Sequence, residues 1–216
     1  PIGNYDNQYS GTFNGHGKSI SGLYFNNSET SYVGLFGSTN QGTIQNVGVV
    51  DSYFNGGEYV GGMCGQNKGT ITNCYYAGSV NGTSNVGNIC GILDSECIIT
   101  YCYYLANKDD GNGGKTSDQF ANGEVAWLLN GSQPTGTWGQ LLGTDNLPVL
   151  DNTNKVLACA LDATNATYWL TYSNLTDDAA LSVPADRELL VCNAQVKKGV
   201  LTLGERDDNL VAKGEG

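Results

Sequence analysis

A chain of 216 residues with only 14% charged side chains, 31 glycines and a formal net charge of −11 falls well below the roughly 25% charge content of ordinary soluble domains, so its composition favours β architecture dominated by the backbone. An acidic chain without a basic stripe has nothing to release counterions from a phosphate backbone, which argues against nucleic acid and against an anionic membrane surface as partners. No apolar run reaches the roughly 18 residues a membrane helix needs, so no membrane insertion is expected.

The chain opens on Pro1 with no start Met and closes on Gly216 just beyond the apolar run Asn209 to Ala212, and both ends read as cut from a longer parent. From about residue 11 to 107 the sequence repeats itself. Ile44-Gln45-Asn46-Val47, Ile71-Thr72-Asn73-Cys74-Tyr75-Tyr76 and Ile99-Thr100-Tyr101-Cys102-Tyr103-Tyr104 align, with Ile20 to Phe25 as a weaker first copy. This alignment puts Leu23, Val47, Cys74 and Cys102 in one column. A second column, Phe36, Cys64 and Cys90, follows the same period, with spacings of 28 and 26. Each repeat holds short β-prone runs separated by Gly, Asn and Ser clusters, the pattern of strand, turn, strand, turn. A unit so short buries its apolar face only against its neighbours, so equivalent strands should stack in parallel register about 4.8 Å apart. The reading for residues 1–107 is a short parallel β-solenoid, or β-helix, of about four coils. Gly37, Gly65 and Gly91 recur where corners need positive φ or a close backbone approach.

The run Tyr59-Val60-Gly61-Gly62-Met63-Cys64-Gly65, followed by Asn67-Lys68-Gly69-Thr70-Ile71-Thr72-Asn73-Cys74-Tyr75, closely resembles the GLUG repeat of bacterial surface proteins. Gly11 to Ile20 is similar to the lead-in of such arrays, and Trp138-Gly139-Gln140 through Leu147-Pro148-Val149-Leu150 to the segment that closes them. The resemblance covers about the first 150 residues. It implies an adhesin-like protein, secreted or anchored at the bacterial cell surface, with no catalytic set in the repeat. Phe36 and the cysteines stand where Val or Leu is commoner, and Asn88 where a second Gly is usual.

Residues 108–150 read as a linker, a capping helix and the closing segment. Lys108 to Gly114 is a turn by composition. Thr116-Ser117-Asp118-Gln119 fits a capping box, Phe120, Ala121, Val125 and Leu128 share a helical face, and Asn130-Gly131 supplies the stop. Such a helix would lie across the open end of the solenoid and cover its unpaired edges. Residues 151–216 alternate apolar and polar side chains, with strands expected near Tyr168 to Tyr172, Glu188 to Cys192, Gly199 to Leu203 and Asn209 to Lys213. They form a small antiparallel β module, sandwich-like, with its last strand running to the chain end.

Chemistry-bearing residues are sparse. His16 is the sole histidine, which leaves no multi-His metal site, and it sits in a Gly-rich turn. A solenoid enzyme acting on acidic polysaccharides needs clustered carboxylates on adjacent coils, whereas Asp51 and Asp94 belong to different columns. The cysteines, seven in all, have no C-x-x-C signature and read as small apolar fillers; Asp109, Asp110 and Asn112 read as a polar turn. No catalytic residue, metal site or cofactor is assigned. Strand alternation sends Tyr24, Tyr75 and Tyr103 outward if Leu23, Val47, Cys74 and Cys102 point in, giving an exposed tyrosine ladder as the candidate ligand-binding surface for glycans or host surface proteins. The functional expectation is a non-catalytic extracellular adhesion module; a structural spacer and a carbohydrate-active β-helix enzyme are the alternatives.

Overall fold

The computed structural model describes residues 1–95, 97–121, 123–132, 136–140 and 145–150 in full, and beyond them the backbone of four strands. The solenoid is present and parallel throughout. Strands β1 (Thr12–Ser21), β2 (Tyr24–Asn26) and β3 (Phe36–Ser38) make the first turn. Strands β4 (Thr43–Asn55), β5 (Glu58–Gly61) and β6 (Cys64–Asn67) make the second. The third comprises β7 (Thr70–Thr72), β8 (Tyr75–Asn81), β9 (Ser84–Gly87) and β10 (Cys90–Leu93). With β11 (Ile98–Thr100) and β12 (Tyr103–Leu105) the chain begins a fourth turn, and β13 (Gly114–Lys115) pairs on the far side of β12.

Register converts the repeat into vertical columns. Phe13, Ile44, Ile71 and Ile99 stack in one, Ile20, Val49, Tyr76 and Tyr104 in another, Phe36, Cys64 and Cys90 in a third. Their side chains fill the lumen, where Ile44, Val49, Phe36, Cys64 and Ile71 are fully buried. Tyr76 is also buried there, its hydroxyl donating to the carbonyls of Ser52 and Ser79 at 3.1 and 2.9 Å, which satisfies the one polar atom it brings inside.

The first repeat is not aligned as its sequence suggests. β1 pairs Lys18 with Val47 and Ile20 with Val49, across a register shift between Asn14 and Lys18. Leu23 therefore does not share a rung with Val47, and Tyr24 pairs with Tyr53 instead of Gly48. Positive φ and close backbone approach fall on different residues. Asn46, Asn73 and Tyr101 occupy one corner at φ 55, 54 and 51°, a left-handed conformation in which Asn is among the least strained side-chain-bearing residues. Gly37, Gly65 and Gly91 lie within β3, β6 and β10, where the requirement is the close approach: a Cβ on Gly65 would sit 2.6 Å from the Tyr59 carbonyl oxygen and 2.7 Å from that of Gly37.

The capping box forms, with Thr116 N–H donating to Gln119 Oε1 at 2.9 Å and Gln119 N–H to Thr116 Oγ1 at 3.2 Å. It opens α1 (Ser117–Ala121), which is separated from α2 (Glu124–Leu129) by Gly123 at φ 90°. The helices do not cross the end of the solenoid. Phe120, Val125, Ala126 and Leu129 pack on Val50, Tyr75 and Ala77, the outward side chains of β4 and β8, and Trp138 joins them in a second buried cluster. Trp138 lies in β14 (Trp138–Gly139), paired antiparallel with β15 (Val149–Leu150). The two helices and Trp138 thus buttress a flank, because that face of the coil is itself apolar and needs cover.

In the last segment β16 (Lys155–Ala160) and β17 (Thr167–Tyr172) form one antiparallel pair, β18 (Glu188–Lys197) and β19 (Val200–Lys213) another. The two strands expected near Gly199 to Leu203 and Asn209 to Lys213 are a single long one, and β16 was not foreseen. Packing of these strands into a sandwich lies outside the described residues, as do the side chains of Cys159 and Cys192.

Ile71 is covered on both sides by Ile44 and Ile99, whereas Ile99 is only half-buried. Urea denaturation of Ile71→Ala is therefore expected to show a loss of about 2–5 kcal/mol, and of Ile99→Ala a markedly smaller one; equal losses would mean that the third turn is no better packed than the terminal rung.

Candidate functional site: two tyrosine stacks

The three tyrosines singled out in the sequence do not make one exposed ladder. Tyr75 does point away from the lumen, as strand alternation requires, yet it is 1% exposed. Its ring lies over Gly48, where a Cβ would come within 2.4 Å of it. It then meets Trp138 edge-on at 5.3 Å and Phe120 at 5.9 Å, and its hydroxyl donates to the Pro148 carbonyl at 3.0 Å. Burial pushes this phenol well above its ordinary pKa, with the Asp51 carboxylate adding to the rise. Tyr103, paired with Tyr75, is half-buried against the same cluster. Alternation predicted the direction of these side chains correctly; what it could not supply was the later segment that folds over them.

Tyr24 alone of the three is open, at 72% exposure. Its ring stacks on Tyr53 with centroids 5.4 Å apart and planes 19° from parallel. A second, unanticipated stack pairs Tyr32 with Tyr59, centroids 4.8 Å apart and planes 21° from parallel, and Tyr5 leans on Tyr32 at 5.2 Å with its plane tilted by 36°. Tyr32 and Tyr59 precede Val33 and Val60, which bridge one rung to the next. The sequence signal that could have found the pair is the recurrence of Tyr-Val-Gly at Tyr32-Val33-Gly34 and Tyr59-Val60-Gly61.

The backbone at this second stack is strained. Tyr32 and Tyr59 have φ of 62 and 60°, a conformation that costs a bulky residue about 1–3 kcal/mol. In the third turn the same corner, preceding Val86, holds Asn85 at φ 52°, a residue that adopts it far more readily. Ring stacking, worth about 0.5–1.5 kcal/mol, offsets the strain in part. Burial raises the Tyr32 phenol above its ordinary pKa, assisted by Tyr59, Tyr5 and Glu58. Glu58 is anchored beside the stack by its backbone N–H, which donates to Ser31 Oγ at 3.2 Å.

Groups capable of chemistry stand apart. His16 is exposed within β1, at the register shift between Asn14 and Lys18, with φ 50° and its N–H donating to Asn14 Oδ1 at 2.9 Å. Asp51 and Asp94 are exposed on different parts of the coil. No group of three or more His, Cys, Asp or Glu side chains converges among the described residues. Cys64, Cys74, Cys90, Cys97 and Cys102 are free thiols. Burial, with a neighbouring thiol in each case, pushes Cys64 and Cys74 above the ordinary range. Asp110 closes its turn through the N–H groups of Asn112 and Gly114 and accepts from the Tyr104 hydroxyl. Asp109 accepts from Lys115 Nζ at 2.5 Å, Gln119 Nε2 at 2.9 Å and Gly111 N–H at 3.0 Å.

Two outcomes follow for stability. Tyr59→Asn exchanges stacking for relief of strain, so its urea midpoint should correspond to a change within about 1 kcal/mol of the parent; a loss of several kcal/mol would mean that the stack holds the fold. Hydrogen bonds from Lys115, Gln119 and Gly111 lower the Asp109 carboxyl to about 2, below its unfolded value of about 3.9. Its contribution is thus complete above about pH 4 and lost as pH falls toward 2. Asp109→Asn should remove that part of the acid dependence in melting curves taken between pH 5 and about 2.

No family profile matches the chain, and no solved structure matches it. Over 98 residues, 44% of the chain, it is 36% identical to halomucin of Haloquadratum walsbyi. Over 77 residues, 34% of the chain, it is 34% identical to a protein of Evansella cellulosilytica named as a Gly-rich membrane protein. It spans 1% of the first and 9% of the second. No helix among the described residues is long and apolar enough to cross a membrane.

Proposed function

We propose that this chain is a non-catalytic, extracellular module of a cell-surface protein of the GLUG-repeat kind, which adheres to glycans or host surface proteins through its exposed tyrosine stacks. The observation that carries the reading is the pair Tyr32 and Tyr59, bulky residues held in a left-handed conformation at a corner where the next turn uses Asn85. The corner itself is set by Val33 and Val60, fully buried just after it, so the presence there of tyrosine instead of a less strained Asn supports a role for what the corner presents outward. Open rings with a polar handle suit sugars and peptides alike. The names of the two relatives, a mucin-like word and a membrane protein, agree with a surface setting.

A spacer is the second reading. Its support is the continuous lumen from Phe13 to Ile99, which makes a stiff rod whatever its surface does.

The test is binding of the purified chain to arrays of glycans, mucins and surface proteins, with a Tyr5→Ala, Tyr24→Ala double variant alongside. Saturable binding by the parent, weakened about tenfold or more in the variant as expected when aromatic anchors are removed, supports adhesion through the stacks. A folded parent that binds nothing supports the spacer.

A further inference from the structure

Two pairs of thiols stand over one another on successive rungs of the lumen. Cys90 pairs with Cys64 in the register of β10 on β6. Cys102 lies over Cys74, because Thr100 pairs with Thr72 before it and Tyr103 with Tyr75 after it, and the Tyr103 N–H donates to the Cys74 carbonyl at 3.1 Å. All four side chains belong to the main core or pack against it. Within each pair the sulfurs lean the same way along the strand, Cys64 toward the Gln66 carbonyl and Cys90 toward that of Ile92, Cys74 toward Thr72 and Cys102 toward Thr100.

Neighbouring rungs set the Cα atoms of such a pair about 4.8 Å apart, inside the window of roughly 4.4–6.8 Å that a disulfide spans. The obstacle is direction. In-register Cβ bonds run parallel, so the sulfurs reach the required dihedral only if one side chain turns away from its carbonyl and the backbone gives slightly. Both pairs place their later member where it can give. β10 is the last strand of its sheet, with β6 on one side and no pairing on the other among the described residues, and Cys102 lies in the gap between β11 and β12. Accessibility divides the pairs in the same way, since Cys64 and Cys74 are fully buried whereas Cys90 and Cys102 are half-buried. Burial pushes the two inner thiols above the ordinary range, so the outer ones react first. Cys97 sits in the turn after β10, outside both columns.

Resting on the reading of the chain as an extracellular module, where disulfide oxidants are at hand, we infer that Cys64 with Cys90 and Cys74 with Cys102 are two redox latches, each converted by a small disulfide oxidant into a cross-link between successive turns. The thiolate of the half-buried cysteine attacks the oxidant, forming a mixed disulfide and releasing one small thiol. Its buried partner then loses its proton and displaces the second small thiol. Two electrons and two protons thus pass from each pair to the oxidant as one S–S bond forms. The links tie the third turn to the second and the fourth to the third, at the end of the coil where Ile99 is only half-buried and local opening is easiest. Parallel Cβ directions strain the bond, so a mild reductant reopens it.

The experiment incubates the intact folded chain with glutathione disulfide and, separately, with excess dithiothreitol. It reads the linked peptides after acid-quenched digestion, the intact mass, and the rate at which a protease cuts the native chain. The expected result is a pair of links mapped to Cys64–Cys90 and Cys74–Cys102, with a loss of about 4 Da, two hydrogens for each bond. Cleavage within the third turn should slow about tenfold or more, because the links suppress local opening, and dithiothreitol should restore both mass and rate. Cys90→Ser and Cys102→Ser should each remove one link and keep the other, while Cys97→Ser keeps both. Glutathione that stays attached to Cys90 or Cys102 overturns the inference, since the buried partner then fails to reach it. Links that run instead to Cys97, Cys159 or Cys192 overturn it too, as does a folded chain whose stacked thiols all remain free. None of these three results touches the adhesion reading, which is decided by the binding arrays.

Discussion

The rest of the structure depends on register between parallel strands. Rungs about 4.8 Å apart place each side chain directly over its counterpart one turn earlier, so a residue type survives in a column only if it tolerates a copy of itself or a similar neighbour at that distance. Like charges do not, and residues 1–107 carry few charges of either sign. Aliphatic, aromatic, amide and hydroxyl side chains do. The Ile and Val columns of the lumen obey this rule, as do the hydrogen bonds between Asn55 and Asn26 at 2.7 Å and between Thr100 and Thr72 at 3.0 Å.

Tyrosine stacks are the outward expression of the same rule. Where a corner places tyrosines on successive rungs, the spacing of the backbone already approaches the separation at which rings stack, and the 4.8 Å between Tyr32 and Tyr59 is a rung spacing as much as an aromatic one. The stack is therefore positioned by the rigid lumen and needs no loop to organise it. Burial of Tyr75 shows the alternative fate of an outward aromatic: covered by Phe120, Trp138 and the Pro148 carbonyl, it becomes part of a second core that binds the two helices and Trp138 to the coil.

Those parts of the fold that follow from local spacing could be read from the sequence. The columns through Ile44, Ile71 and Ile99, and through Phe36, Cys64 and Cys90, were legible because a repeat aligns with itself. The capping box at Thr116 was legible because its two hydrogen bonds join residues three apart. Tyr24 was misplaced because Ile20 to Phe25 was matched to Ile44 onward, whereas Ile20 pairs with Val49 and Tyr24 with Tyr53, a slip within one turn that a weak copy does not reveal. Tyr75 was misjudged because its cover arrives 45 or more residues later, at Phe120 and beyond. Tyr5 joined the site from outside the repeat altogether, through a tilted ring contact with Tyr32 that has no periodic trace.

One feature of the lumen bears on how such a protein could be made and delivered. Its cysteines stack in columns, yet each sulfur is satisfied by a carbonyl two residues away: Cys64 by Gln66 at 3.0 Å, Cys74 by Thr72 at 3.1 Å, Cys90 by Ile92 at 3.0 Å. Disulfides tie the folding of many exported domains to an oxidising compartment. Among the described residues no disulfide ties one coil to the next, so the columns are held by packing and by these sulfur-to-carbonyl contacts.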